Sequence, residues 1–236
     1  MSSPLPYCGA PPLPVELWDH WNLDPFVIAG LLGAFWAGRA LGARMTPWST
    51  GIAILALLFV SPLCALSSAL FAMRVAHHVI LTGVVAPLLA MALPRAPGSV
   101  ARWAAAHALA FWLWHAPPIY GEALASDMVY WLMQATLLGS ALMFWRAVRA
   151  AAPPLAVASL LATMVQMGLL GALLTFTTTP LYAWHLTTTQ GWGLSPLADQ
   201  QLAGLIMWVV GGALYLAAAL KVAGGILGGA VRTARA

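Results

Sequence analysis

The sequence predicts an all-α fold, a polytopic integral membrane bundle of seven transmembrane helices with the N-terminus outside and the C-terminus cytoplasmic. Three observations lead there. Charged residues make up 7% of the 236-residue chain and hydrophobic residues 62%, where a soluble domain carries about 25% charge, and the mean hydropathy is +0.87. The apolar residues gather into seven runs whose lengths suit a bilayer core of roughly 30 Å. The few charges are sorted by sign between alternate connections. Because lipid offers no partner to a backbone amide, spans of this length should be helices, whose hydrogen bonds close within the segment.

The runs lie near Pro25–Ala43, Ser49–Leu70, Met73–Leu93, Val100–Ala116, Asp127–Val148, Leu155–Thr178 and Asp199–Val222. Lys and Arg accumulate in cytoplasmic loops. With the N-terminus outside, the inner connections hold nine of the ten basic residues, Arg39, Arg44, Arg95, Arg102, Arg146, Arg149, Lys221, Arg232 and Arg235, and only Arg74 is outside. All six acids, Glu16, Asp19, Asp24, Glu122, Asp127 and Asp199, fall on the outer side. An even number of spans would scramble this pattern. The organisation expected is an outer Pro-rich tail (1–24), a seven-helix membrane domain (25–223) and a basic cytoplasmic tail (224–236). The sequence pI near 9.5 then reflects orientation in the bilayer. No basic face interleaved with exposed aromatics is seen, so a lipid bilayer is the expected partner and nucleic acid is not.

In chain order, residues 1–24 carry Pro4, Pro6, Pro11, Pro12 and Pro14 and no Lys or Arg, so they do not read as a signal peptide. A short tail without positive charge can cross with the first span, leaving Cys8, Trp18, His20 and Trp21 outside. Cys8 and Cys64 are the only cysteines; a disulfide between the tail and the second span is open to them but unsupported, a pair gives no framework, and two unrelated cysteines are expected. The first span reads as scaffold, with Arg39 and Arg44 able to snorkel to the inner face. In the second, Pro62 removes a backbone donor and should kink the helix, and in the third Pro87 should bend the chain at the carbonyl of Gly83. The small residues Gly168 and Ala172, with Gly171 and Thr175 on the adjoining row, predict close helix packing in span six. Ser195 and Pro196 suit the N-cap and first position of span seven, where Asp199 would meet the helix dipole. The intervening segment 180–196 could lie over the bundle as a lid. Trp103, Trp112, Trp114, Trp131, Trp145, Trp184 and Trp192 fit interfacial belts.

The chemistry centres on span three. Met73 and His77 stand four residues apart on one helical face, and Arg74 and His78 on the neighbouring face. Ionisable groups in a span cost free energy and so point to function. His77 and His78 begin span three and His115 ends span four, both at the outer side, and a short inner loop makes the two spans antiparallel neighbours. His107 lies deeper, roughly 13 Å from the outer surface, with Gln134 and Met207 at about 10 Å. His185 belongs to the outer loop. Imidazole with thioether suits copper, copper(I) especially. The candidate metal ligands are therefore His77, His78, His115, Met73, His107, His185 and Met207, the last two and Cys64 only if loop or helix folds inward. Arg74 could serve as an interfacial anchor or hold His78 neutral.

The stretches HHVILTGVVAPLLAMALP (77–94), WHAPPIYGEAL (114–124), GALLTFTTTPLYAWH (171–185) and WGLSPLADQQLAGLIMWVVGG (192–212) resemble the polytopic CtaG-type cytochrome c oxidase assembly factors, over roughly spans two to seven. The resemblance implies a multi-pass protein of the bacterial plasma (inner) membrane, with terminal oxidase subunits as partners and a role in maturing heme-copper oxidase through copper provision. The chain is not similar to the single-span, Cys-bearing copper chaperone that shares that name. The family pattern in span three reads His-Met-x-Gln-His. Here it is Arg74-Val75-Ala76-His77-His78, so His78 alone matches a family histidine, and the ligand burden shifts to His77 or another helix.

Two other classes are open to test. A bis-histidine heme protein needs imidazoles from two helices at one depth, which His78 and His115 could supply. A retinal-type pump needs a lysine in mid-membrane, and the only lysine, Lys221, sits at the inner end of span seven. No Ser, His and acid cluster or Gly-rich phosphate loop is present, so an enzyme is not expected.

Overall fold

The computed structural model describes residues 5–95 and 98–233, with side chains to residue 226. Among the described residues the fold is all-helical: α1 (Pro25–Ala40), α2 (Met45–Val60), α3 (Leu63–Ala69), α4 (Phe71–Ala92), α5 (Val100–His115), α6 (Pro117–Ala125), α7 (Asp127–Ala150), α8 (Pro153–Phe176) and α9 (Pro196–Ile226, helical on to Thr233). Four of these, α4, α7, α8 and α9, are long and apolar enough to cross a membrane, and the pair α2 and α3, bent by 50°, makes five. Helices α1 and α5, at 16 residues each, rise about 24 Å. Each predicted run is occupied by helix, the second by the two helices α2 and α3; the short helix α6 lies between the fourth and fifth runs, started by Pro117 and Pro118 in the first-turn positions where proline's missing amide is harmless.

Helix α1 begins where Asp24 accepts the amide of Phe26 at 2.8 Å and Pro25 opens the first turn. The Trp48 indole lies against Gly38, where a Cβ would meet its nitrogen at 2.0 Å, and donates to the Ala34 carbonyl at 3.0 Å. That contact locks α1 onto α2.

Pro62 breaks α2 from α3, as its missing amide requires. The break frees carbonyls, and Asn22 of the N-terminal tail takes them up: its backbone amide donates to Val60 at 2.9 Å and its side chain to Phe59 at 3.0 Å. A second break follows at Leu70, which is extended. The carbonyls ending α3 are met by the loop between α8 and α9, with Trp184 donating to Ser68 at 2.9 Å and Thr188 to Ala69 at 2.7 Å. The loop is thus a lid over α3, and Trp192 ties it to the tail at the Pro12 carbonyl.

Pro87 acts through a wide π-helical turn at Leu81–Val85 immediately before it. The extra residue in that turn relieves the clash that proline would impose on a regular helix. Trp145 donates to the Thr82 carbonyl within it at 2.9 Å. A second π turn, Ile206–Gly211 in α9, contains Met207 and involves no proline. Helices α8 and α9 approach at glycine: a Cβ on Gly204 would meet the Thr175 hydroxyl at 2.4 Å and the Gly171 carbonyl at 2.5 Å.

At the end of the bundle away from the tail, Arg149 donates to the carbonyls of Ala90 and Leu93, Arg146 to that of Pro94, and the Arg44 amide to Ala92. These basic groups close the C-terminus of α4, where cations are favoured. Ala96 and Pro97, between α4 and α5, and residues 1–4 and 234–236, with Pro4 and Arg235, lie outside the described residues, as does the side chain of Arg232.

Candidate functional site

The two breaks around α3 swing the start of α4 into the bundle, between α2, α5 and α7, beneath the tail and the lid. Its N-terminal amides are capped from α9: both Asp199 oxygens are used, at 2.7 Å from the Phe71 amide and 3.1 Å from that of Ala72. The next turn then carries Arg74, His77 and His78 inward, all at most 3% exposed.

His77 packs edge-on against Phe59 of α2, ring centroids 4.9 Å apart, and neither of its nitrogens has a partner. His78 turns the other way. Its ring is 5.8 Å from His77 and 5.9 Å from His115 of α5. Its Nε2 faces the Gln134 amide of α7 at 3.4 Å, and its Nδ1 is unpartnered. His115 donates its Nδ1–H to the Phe111 carbonyl at 2.7 Å. That bond fixes the tautomer and leaves a lone pair on Nε2. Three buried imidazoles from two helices therefore stand in series, His78 between His77 and His115. A crevice between α1, α2 and α7 is lined by Val27, Leu31, Leu55, Phe59, Trp131 and Gln134, two of which, Phe59 and Gln134, also touch His77 and His78; among the described residues no histidine lines it.

The other candidates are elsewhere. His107 is buried but bonded through Nδ1 to Ser140 at 3.1 Å and stacked near Phe144. The Nδ1–H of His185 points to the Ala69 carbonyl at 3.3 Å, and its Nε2 accepts from the Tyr120 hydroxyl at 2.8 Å. Both nitrogens are engaged in holding the lid. Burial pushes His185 down to about 3, which keeps this loop imidazole neutral. Met73 packs with Leu66 and Leu70, and Met207 belongs to the main apolar core. Among the described residues, no three His, Cys, Asp or Glu side chains already form a cluster able to hold a metal. A metal on the three imidazoles would require their rings to turn toward one another.

Arg74 is not the interfacial anchor that its place in the sequence allowed. It is 1% exposed, and its guanidinium lies over the ring of Tyr130 at 5.2 Å, with the Tyr120 hydroxyl also a polar neighbour. None of its three nitrogens makes a hydrogen bond of good geometry, and the Tyr120 and Tyr130 hydroxyls beside it carry no compensating charge. A buried, unpaired charge is costly, on the order of several kcal/mol.

Cys8 and Cys64 are joined, correcting the expectation of two unrelated cysteines. Their disulfide links the tail to α3, Cα to Cα 5.1 Å. Tyr7 stacks on Tyr130 at 4.9 Å and meets Trp131 edge-on at 5.1 Å, and its hydroxyl bonds to Asp24. That bond lowers the Asp24 pKa, and the Tyr7 phenol is raised, first by burial and then by the same bond. The interfacial-belt reading also fails for Trp114, Trp145 and Trp184, whose indoles donate inward to Thr136, Thr82 and Ser68.

Among known proteins, the sequence model of the cytochrome c oxidase caa3 assembly factor family (Caa3_CtaG) matches residues 100–227. That segment runs from α5 through α9 and contains His107, His115, His185 and Met207, while Met73, His77 and His78 precede it. No curated protein and no solved structure matches. The match takes in just over half of the chain, and with it the chain belongs to the cytochrome c oxidase caa3 assembly factor family.

Proposed function

We propose that this chain is a non-catalytic factor that holds copper on the outer side of the bacterial plasma membrane and passes it to subunits of a heme-copper oxidase during their maturation. One observation carries the reading: His77, His78 and His115 are buried near one another, both nitrogens of His77 and Nδ1 of His78 have no partner, and the bond of His115 Nδ1 to Phe111 leaves a lone pair on its Nε2. Unsatisfied buried polar groups cost about 1–3 kcal/mol each, and a neutral imidazole nitrogen is a copper ligand. Copper here is cargo, and a compartment that binds through imidazole alone suits release as well as capture.

Seven spans with the N-terminus outside belong to the same reading. The basic groups that close α4 lie at one end of the bundle, and Asp24, Asp127 and Asp199 lie at the other. The heme alternative has no supporting observation in the fold or the comparisons.

The test is to purify the chain in detergent and measure metal content and the Soret band together. With the Cys8–Cys64 disulfide intact, copper without heme, lost in a variant lacking the three imidazoles, is the expected result. Heme without copper, or neither, overturns the proposal.

A further inference from the structure

We propose that Cys8 and Cys64, when their disulfide is reduced, form a second copper(I) site in which two thiolates bind one ion and Arg74 balances its charge. This rests on the copper reading above but not on the histidines.

The surroundings of the two sulfurs suit sulfur anions better than a disulfide. The Tyr130 hydroxyl is 3.4 Å from the Cys8 sulfur and 4.0 Å from that of Cys64. Asn22 Nδ2, which has a second proton beyond the one it gives to Phe59, lies 4.0 Å from the latter, whereas the one proton of Ser67 is given to the Cys64 carbonyl at 2.6 Å. Disulfide sulfurs are feeble acceptors, whereas a thiolate draws hydrogen bonds from such donors and binds copper(I) as a soft ligand. The cysteines are 6% and 0% exposed, so a charge formed there is poorly solvated and needs a counter-charge.

Arg74 is that counter-charge. Its guanidinium lies over the ring of the same Tyr130 whose hydroxyl faces both sulfurs, and its polar neighbours are the neutral hydroxyls of Tyr120 and Tyr130, neither of which offsets its charge. The acid nearest in the fold to its helix start, Asp199, is committed to the amides of Phe71 and Ala72. A copper(I) bis-thiolate carries one negative charge, which Arg74 offsets.

The steps balance. An external dithiol delivers two electrons and two protons to the disulfide, leaving two thiols here and a disulfide on the reductant. One copper(I) ion then displaces two protons: Cu⁺ with two R–SH gives [Cu(SR)₂]⁻ and 2 H⁺. Cys8 sits on a short turn closed by the Gly9 amide on the Pro6 carbonyl at 2.8 Å, and its sulfur would have to move away from α3 to admit the ion. The histidines lie next along the path: Asn22 binds the Phe59 carbonyl, and the Phe59 ring packs on His77.

The experiment uses the full chain in detergent under anaerobic conditions, once oxidised and once reduced with a dithiol that is then removed. Each form is titrated with copper(I) against a chromophoric copper(I) chelator. The reduced form should bind one more equivalent than the oxidised form, with near-ultraviolet thiolate charge-transfer absorption and a sulfur shell in the copper X-ray absorption spectrum. Arg74→Gln should weaken that equivalent by about tenfold. Cys8→Ser should lose it, and His77→Ala with His78→Ala and His115→Ala should keep it. Equal stoichiometry and spectra for the two redox forms of the wild-type chain overturn the proposal, as does a disulfide that resists the dithiol while the protein is folded. If the histidine variant loses all copper and Cys8→Ser none, this site fails and the histidine site stands; the reverse result keeps this site and removes the other.

Discussion

Asp199 in the first turn of α9 caps α4, its two oxygens meeting the amides of Phe71 and Ala72 across 128 and 127 residues of sequence. The carboxylate fixes the angle at which Arg74, His77 and His78 enter the bundle. Asp199→Ala would leave two buried donors unmet, a loss of roughly 2–4 kcal/mol. The thermal midpoint in detergent should fall, and copper binding with it. Asp199→Asn keeps one acceptor and should lose about half as much. A midpoint unchanged in both variants would mean that the cap does not hold α4.

The histidines divide by their partners. His77→Ala, His78→Ala and His115→Ala should each lower copper affinity by about 10- to 100-fold and impair oxidase maturation at unchanged membrane abundance. His20→Ala, in the tail, should not. His107→Ala should not either, because its Nδ1 is spent on Ser140. Copper content, oxidase spectra and oxygen uptake in complemented deletion strains are the measurements. Wild-type behaviour of His78→Ala would remove the compartment from the mechanism.

The bundle was legible because its helices are written in local terms, as apolar runs, Pro62 and Pro87, and Ser195, which accepts the Ala198 amide at 3.1 Å. The nearness of His78 to both His77 and His115 was legible too, since few residues separate α4 from α5 and helices so joined run antiparallel side by side. What escaped depends on distant partners. Asp199 reads as a cap of its own helix, and nothing near it in sequence names Phe71. The pairing of Cys8 with Cys64 depends on Tyr7 and Asn22 folding the tail back onto α7 and α2. Met73 and Met207 have suitable chemistry, yet their faces of α4 and α9 pack against Leu66 and the apolar core.

Protonation should loosen the lid. His185 has its pKa lowered to about 3 by burial, against about 6.5 unfolded. Between these values the opened loop binds a proton that the closed loop does not, so closure is most stable above about pH 6.5 and weakens as pH falls toward 3. Opening should rise by up to about tenfold per pH unit across that window. Amide exchange of residues 183–189, corrected for intrinsic rate, measures it. His185→Gln should remove the pH dependence, and a slope that survives the substitution would assign it to another group.

Orientation can be read without removing either native cysteine, because Cys8 and Cys64 are bonded to each other. Val15 is 87% exposed in the tail and Leu41 64% exposed at the turn after α1. Val15→Cys should react with a membrane-impermeant maleimide in intact cells, and Leu41→Cys only after permeabilisation. The opposite pattern would put the histidine compartment on the wrong side for an outer copper supply.

The contact of α8 with α9 links packing to the site. A Cβ at position 204 would meet the Thr175 hydroxyl at 2.4 Å and the Gly171 carbonyl at 2.5 Å, and the second of these is backbone that cannot turn aside. Gly204→Ala must therefore push the helices apart, at about 1–3 kcal/mol. Asp199 lies less than two turns earlier on the same helix, so the displacement should also lengthen its bonds to Phe71 and Ala72. Gly139 in α7 provides the contrast, with nothing within 4 Å of an added Cβ. Gly139→Ala should be neutral or stabilising by up to about 1 kcal/mol through helix propensity. Gly204→Ala should lower both the thermal midpoint and copper affinity while Gly139→Ala lowers neither. If Gly204→Ala lowered the midpoint but left copper affinity intact, the placement of His77 and His78 would not depend on α9.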